Sequence, residues 1–455
     1  MNTDTICALA TATGGAICIV RVSGHNAIPI ADSLFRPATN NAKSLAYAKA
    51  NTLHYGSIIN TEGEVVDDVI VSVFRHPHSY TGEDSVEISC HGSRYIANTI
   101  IQLLIEHGCR QANPGEYTQR AFINGKMDLS QAEAVADLIS STNKATHSMA
   151  IAQLRGNFSS LLAQLRDKLL HITTLLELEL DFSEEDVTFA SREEIISLVN
   201  DIRIHISSLA ASFKTGNAIK HGVPVAIIGK TNVGKSTLLN HLVGEERAIV
   251  SNIHGTTRDV IEDAVDIRGV TFRFIDTAGI RHTDDEVEKI GIDLAYRKIE
   301  EASVVLWLSD EKPDELSVAD MLERCRNKKL LSVCTKCDDG QSRFDLSLYG
   351  IPTISISAAN EIGLDTLRDK IFELSDIPEI HANDVIVTSA RHYQSLIHAL
   401  DCIDRIEQGL SLGLSGDLLS EDLRLCITHL SDIVGGTITT DEVLSNLFSH
   451  FCIGK

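Results

Sequence analysis

Two glycines, a lysine and a serine in Gly229-Lys-Thr-Asn-Val-Gly-Lys-Ser236 are spaced to wrap phosphate oxygens. Gly229 and Gly234 let the backbone curl so that successive amides point inward, and a helix starting there adds the positive end of its dipole. Lys235 would reach the outer phosphates as a point charge, and the Ser236 hydroxyl would ligate Mg²⁺. The flanks suit the motif: apolar Val223-Pro-Val-Ala-Ile-Ile228 reads as a strand and Thr237-Leu-Leu-Asn-His-Leu-Val243 as a helix. A glycine-rich turn that merely contains Lys-Ser would not need those flanks.

More residues of the same chemistry follow in order. Ser251-Asn-Ile-His-Gly-Thr-Thr-Arg-Asp259 offers two threonines that can close over Mg²⁺ and the terminal phosphate. Strand-like Thr271-Phe-Arg-Phe-Ile275 ends at Asp276-Thr-Ala-Gly279, which places a carboxylate for the metal's outer shell and an amide for the γ-phosphate. Leu330-Leu-Ser-Val-Cys334 runs into Thr335-Lys-Cys-Asp338, whose last carboxylate can accept from the ring N–H and exocyclic amine of guanine, a donor pair that adenine lacks. Ile354-Ser-Ile356 then leads to Ser357-Ala-Ala359, small residues fit to meet the base oxygen. This is the motif order of a Ras-like GTPase. It predicts nucleotide contacts from Asn232, Val233, Gly234, Lys235, Ser236 and Thr237, from Ser251, Asn252, Ile253, His254, Gly255, Thr256 and Thr257, and from Asp276, Thr277, Ala278 and Gly279. Thr335, Lys336, Asp338, Ser357, Ala358 and Ala359 complete the set.

Two departures stand out. Thr335 occupies the place where such base-reading motifs usually begin with Asn, so a hydroxyl replaces a carboxamide's paired donor and acceptor. Ile280 follows Gly279 where Ras carries a water-orienting Gln, and the acidic run Asp284-Asp-Glu-Val-Glu288 supplies candidates for that task. Cys334 and Cys337 form a C-x-x-C with no second pair near it in sequence, half of a tetrahedral metal site; the better reading is strand filler around the guanine reader.

The elements that must position these groups fall into three parts. Residues 1–120 read as a mixed α/β domain with strands at Ala16-Ile-Cys-Ile-Val-Arg-Val22, Asp68-Val-Ile-Val-Ser-Val-Phe74 and Ser85-Val-Glu-Ile-Ser89, and a helix over 95–106. Arg21 and Glu87 on two of these strands could share a cleft or form an ordinary surface pair, and His91 is equally open. Residues 121–215 and 379–455 carry apolar residues at helical spacing, such as Leu165, Leu169 and Ile172, then Leu419, Leu423 and Leu430. The economical architecture is one discontinuous helical domain with a nucleotide domain, 216–378, inserted into it. The acidic run from Leu178 to Asp186 reads as a solvated helix end or loop.

Composition bounds the class. The 455 residues are 43% hydrophobic and 23% charged with 8 prolines, which excludes a disordered chain or a fibre. No basic leader precedes an apolar run and no window suits a membrane span, so a cytoplasmic protein is expected, with its ten cysteines reduced. A formal net charge of −23 repels phosphate backbones, so a nucleic-acid substrate would need help from another surface.

Several stretches outside the nucleotide domain carry a further resemblance: Arg21-Val-Ser-Gly24, Tyr80-Thr-Gly-Glu-Asp84, Asn113-Pro-Gly-Glu-Tyr-Thr-Gln-Arg-Ala-Phe122, Lys126-Met-Asp-Leu-Ser-Gln-Ala-Glu133 and Phe451-Cys-Ile-Gly-Lys455. With them the whole chain resembles the tRNA modification GTPase family MnmE, also called TrmE. The terminal motif is no prenylation box, since Ile453, Gly454 and Lys455 do not fit one.

The resemblance implies an α/β and α multidomain protein: an N-terminal folate-binding and dimerisation domain, a discontinuous helical domain and an inserted Ras-like P-loop GTPase domain. It matches Arg21, Glu87, Lys126 and Lys455 to contacts with a tetrahydrofolate derivative, 5-formyl- or methylene-, with Cys452 beside that pocket. It matches Asn232, Ser251, Ile253 and Thr256 to a K⁺ site, and Ser236 and Thr257 to Mg²⁺. Lys235, Thr257 and Glu288 are then the catalytic candidates, with Glu288 orienting the attacking water. The implied activity is K⁺-dependent GTP hydrolysis in a homodimer. With an FAD-binding partner, MnmG, in a heterotetramer, it would drive addition of an aminomethyl or carboxymethylaminomethyl group to carbon 5 of the wobble uridine of certain tRNAs. Two other classes compete. A switch that binds ribosomal particles would use the same motifs without the N-terminal domain, and a lone folate-dependent transferase would need a dinucleotide site, for which no G-x-G-x-x-G follows a strand.

Overall fold

The computed structural model describes residues 4–39, 44–181, 192–245, 263–275, 299–378, 380–381, 384–436, 444, 448, 451 and 454. The chain divides into two compact units, one of Met1–Ala136, Ser159–Ala163 and Leu430–Lys455, the other of Asp137–Phe158 and Gln164–His429.

The first unit is built on strands β1 (Thr5–Leu9), β2 (Ile17–Ser23), β3 (Phe35–Pro37), β4 (Thr52–Ile59), β5 (Val65–Phe74), β6 (Ser85–His91) and β7 (Cys109–Gln111). They form one sheet in the order β3-β4-β5-β6-β2-β1-β7, antiparallel throughout except for β1 beside β7. Alternation decides which side is covered. Val69, Val71 and Val73 of β5 and Val86, Ile88 and Cys90 of β6 are buried, while the residues between them face the other way. Helices α1 (Ala27–Leu34) and α2 (Arg94–Glu106) supply the cover through Ile28, Ala31 and Leu34 and through Ala97, Ile100 and Leu104. Helix α3 (Glu116–Ile123) follows β7, and Phe122 packs with Leu129, Leu444 and Phe448 in a smaller cluster of the same unit.

The second unit contains a sheet of β8 (Val223–Gly229), β9 (Asp263–Ile267), β10 (Val270–Ile275), β11 (Val304–Ser309), β12 (Lys329–Cys334) and β13 (Thr353–Ser355). Its order is β13-β12-β11-β8-β10-β9, parallel except for the edge pair of β9 with β10. The central strands β11 and β12 are buried on both faces, which is why they read as unbroken apolar runs rather than as alternation. Past α4 (Leu129–Ser140) come α5 (Lys144–Leu154), α6 (Asn157–Asp181) and α7 (Arg192–His221), the last leading directly into β8. Helices α8 (Lys235–Glu245), α9 (Glu315–Arg324) and α10 (Leu364–Leu374) belong with the sheet, and α11 (Ala390–Leu412) and α12 (Gly416–Val434) follow it. Arg192 on α7 donates to Leu410 O on α11 at 3.0 Å, and Arg203 meets Asp404 at 3.2 Å. Helices from before and after the sheet therefore pack on each other, within the same compact unit as the sheet, while Leu430–Lys455 falls in the first unit. Of the acidic stretch from Leu178, the backbone is helical as far as Asp181 and the remainder lies outside the described residues.

Candidate functional site

The phosphate loop lies where the central parallel strand β8 gives way to α8. A Cβ on Gly229 would stand 2.4 Å from the carbonyl oxygen of Leu308 on neighbouring β11, so only glycine lets the loop leave the sheet there. Asn232 and Gly234 both take positive φ, 60° and 95°, turning their amides into the curl. Val233 is buried under the loop and anchors it, while Ser236 and Thr237 are exposed in the first turn of α8. The Lys235 ammonium donates to Gly229 O at 2.6 Å and to Lys230 O at 2.8 Å, so it is held at the mouth of the loop by the loop's own carbonyls. The oxygen donors of Ser236 and Asn232 are of the hard type that Mg²⁺ and K⁺ accept. Ser251 to Thr257, Asp276 to Gly279, Ile280 and Glu288 lie outside the described residues.

The base-reading segment follows β12. Thr335 donates its amide to Ser309 O at 2.9 Å, and its side chain is buried. Lys336 adopts φ 58° and its ammonium reaches Asp310 at 2.7 Å. Asp338 is exposed, and its Oδ1 accepts from Ser357 Oγ at 2.6 Å and from Asn360 Nδ2 at 3.2 Å. Asp338 and Ser357 are thus in direct contact, whereas the Thr335 hydroxyl is bonded to neither. Asn360 joins them unannounced. The Sγ atoms of Cys334 and Cys337 lie 3.3 Å apart, both fully buried, with the Cys337 thiol pushed up by burial and by Cys334. They pack with Val305, Trp307 and Phe344 as core filler. Among the described residues no cluster of His, Cys, Asp or Glu could hold a metal ion.

A second constellation lies in the first unit. Arg21 and Glu87 are direct cross-strand partners on β2 and β6, joined by bonds of 2.9 and 2.8 Å from Nε and a terminal nitrogen to one carboxylate oxygen. The Arg21 guanidinium also donates to Gly454 O at 3.2 Å and lies 5.6 Å from the ring centres of both Tyr80 and Tyr117. Tyr117 returns its hydroxyl to Arg21 O at 2.8 Å, and Tyr80 shares a 2.9 Å bond with Thr118. Burial raises the Tyr80 phenol, and the Thr118 bond and the Arg21 charge offset this only in part. Lys126 donates to Pro77 O at 3.0 Å, and a Cβ on Gly82 would lie 3.3 Å from its side chain. Arginine and glutamate with two tyrosines suit a flat heterocycle that carries carboxylates, whereas Lys126 is in contact with Pro77 and Gly82 rather than with these four. Lys455 and Cys452 lie outside the described residues. His91 takes no part: its Nδ1 is 2.7 Å from Asp67, which is buried beside an exposed ring.

The same unit also buries charge at Arg120 and Glu116. Arg120 is paired with Asp4, Glu83 and Glu116, and Arg110 with Asp4 and Glu116, at 2.6 to 3.2 Å. Burial alone would raise the Glu116 carboxyl, but its bonds from Arg110, the Asn113 amide and Arg120 outweigh that and hold it below the usual range. The segments around Tyr80 and Asn113 are therefore structural: they supply Glu83, Glu116 and Arg120 to the network, and Tyr80 and Tyr117 to the rings near Arg21.

A family model described as the MnmE helical domain matches residues 129–452, and one described as the GTP-binding protein TrmE N-terminus matches 5–126. The chain is 54% identical over 469 residues to a tRNA modification GTPase MnmE of Bacteroides fragilis, with 100% of both chains covered. The chain belongs to the MnmE (TrmE) family. The MnmE of Bacteroides thetaiotaomicron is likewise 54% identical over 468 residues, again with 100% of both covered. Among solved structures, the G domain of the T. maritima FeoB iron transporter covers 34% of this chain and 99% of its own at 29% identity, with a TM-score of 0.26. MnmE relatives thus match both units, and the family's two models meet between residues 126 and 129. Among the described residues, no helix is long and apolar enough to cross a membrane.

Proposed function

We propose that this chain is a K⁺-dependent GTPase of tRNA modification that acts as a homodimer with an FAD-binding MnmG partner, in a heterotetramer. Together they would add an aminomethyl or carboxymethylaminomethyl group to carbon 5 of the wobble uridine of certain tRNAs in the cytoplasm. The observation that carries the reading is the presence in one chain of two dissimilar constellations, the phosphate loop after β8 with Asp338 after β12, and the Arg21–Glu87 pair between two tyrosines. A nucleotide switch alone needs only the first.

The domains of this reading are 1–120 for folate binding and dimerisation, 121–215 with 379–455 for the helical part and 216–378 for the G domain. GTP would sit on Asn232 to Thr237 with its base on Asp338 and the Ser357 to Ala359 stretch. Mg²⁺ would be held by Ser236 and Thr257, and K⁺ by Asn232, Ser251, Ile253 and Thr256, where a monovalent charge offsets the charge that develops on the phosphates. Lys235 pulls charge from the transferred phosphoryl group and Glu288 orients the attacking water. A tetrahydrofolate derivative held by Arg21, Glu87, Lys126 and Lys455 would supply the one-carbon unit. With a net charge of −23, the chain leaves most of the tRNA grip to the partner.

The test is GTP hydrolysis in KCl against NaCl at matched ionic strength, with ATP as the nucleotide control. Faster turnover in KCl and none with ATP is expected. Equal rates in the two salts remove the K⁺ mechanism, and turnover of ATP removes the guanine reader.

A further inference from the structure

The base-reading segment lacks a carboxamide where one is usual, and the fold supplies one from elsewhere. Thr335 is 4% exposed, and among the described residues its hydroxyl has no hydrogen-bond partner. It therefore does nothing to hold Asp338. The two donors that do come from one short loop after β13: Ser357 Oγ at 2.6 Å and Asn360 Nδ2 at 3.2 Å, both on Oδ1 of Asp338. That loop is closed on itself, because Ser357 and Ile362 exchange both backbone hydrogen bonds at 3.0 Å. It is also tied to the base-reading segment, with Cys337 N donating to Ile356 O at 3.0 Å. Glu361 at φ 56° and Gly363 at φ 77° set the turn that brings Asn360 back over Asp338.

From this geometry we infer that Asn360 is a positioning residue for guanine selection, supplying the carboxamide that position 335 does not. The inference rests on Asp338 reading guanine. With both intramolecular donors on Oδ1, Oδ2 carries no hydrogen bond among the described residues, and the carboxylate plane is fixed by two anchors on one edge. A fixed plane matters for a two-point contact. Guanine offers a ring N–H and an amine side by side, and a carboxylate free to rotate keeps one of these bonds but not both. Hypoxanthine offers the ring N–H alone, so its binding is far less sensitive to the orientation of Asp338.

Affinities for GDP, IDP and ADP measured on the full chain separate these ideas. Asn360→Ala is expected to weaken GDP roughly three- to tenfold, the effect of one exposed bond to a charged acceptor, while IDP changes little. Asn360→Asp, of the same shape but bringing a like charge against Asp338, is expected to reduce the GDP over IDP preference further, and Asn360→Ser to restore part of it. A general loosening of the loop would weaken GDP and IDP alike and leave their ratio at the wild-type value. That unchanged ratio in both Asn360→Ala and Asn360→Asp overturns the inference while leaving Asp338 as the reader. A wild-type protein that binds ADP as well as GDP overturns the reading of Asp338 itself.

Discussion

The carboxamide of Asn143 donates to the hydroxyl of Thr271 at 2.7 Å while its oxygen accepts the Thr146 amide at 2.8 Å. One side chain thus caps α5 and ties it to β10, the strand that ends one residue before Asp276. The tie is reinforced by Ala145 N donating to Gly269 O at 3.0 Å in the β9–β10 turn. Thr271→Val keeps the cap and removes the hydroxyl that Asn143 bonds, so it should lower unfolding stability by about 1 kcal/mol. Asn143→Ala loses both and should cost about 2 kcal/mol. Urea denaturation of the two variants checks this; equal midpoints for wild type and Thr271→Val would show that the bond to Thr271 contributes nothing.

Arg21→Ala leaves Glu87 without its cross-strand partner and removes the cation between Tyr80 and Tyr117. GTP hydrolysis is expected to stay within about twofold of wild type, since no residue of the phosphate loop is touched, whereas reconstituted uridine modification with the partner should be lost. Tyr117→Phe removes only the hydroxyl bonded to Arg21 O, and about 1 kcal/mol of stability should go with it. A drop in GTP turnover with Arg21→Ala as deep as the drop in modification would contradict separate duties for the two constellations.

Glu116 gives the first unit an acid limit. Its folded carboxyl sits below the usual range, so its stabilising contribution is complete above the unfolded value, about pH 4.3, and drains away as pH falls through the depressed folded value. Stability should therefore fall with decreasing pH below about 4, and Glu116→Gln should flatten that slope while lowering stability near neutrality. Urea midpoints taken from pH 7 to pH 3 measure both, and parallel curves for wild type and Glu116→Gln would rule the contribution out.

Lys235→Ala removes the ammonium bonded to Gly229 O and Lys230 O, and GTP turnover is expected to fall by roughly a hundredfold or more. Glu288→Ala should abolish turnover yet leave GDP affinity nearly intact, because its proposed task is to orient water rather than to hold nucleotide. Uridine modification at full rate with a hydrolytically dead Glu288→Ala protein would sink the idea that hydrolysis drives the cycle.

The phosphate loop was legible because all its determinants are local: glycines, lysine and serine lie within eight positions, between a strand and a helix that show their own periodicity. The parallel strands β11 and β12 were legible for the same reason, as apolar runs. Arg21 and Glu87 were visible as residue types, but their pairing depends on a register between strands 66 positions apart. Tyr80 and Tyr117 lie inside distinctive local motifs, yet nothing local says that two rings from different segments approach one guanidinium. Asn360 was missed because its partner is 22 residues away and its turn needs a positive φ at Glu361. Gly454 shows the limit most plainly, since its carbonyl meets Arg21 across 433 positions.

That last contact has a consequence in time. A ribosome adding roughly 5–20 residues per second needs about 20–90 s to travel from Arg21 to Gly454. During that interval the nascent first sheet carries Arg21 with Glu87 beside it and no carbonyl from the far end. A Cβ on Gly454 would fall 2.2 Å from Leu9 O, so this late segment must thread into a space already shaped by β1. The set of contacts around Arg21 is therefore finished among the last parts of the molecule, although its first residues are among the earliest made.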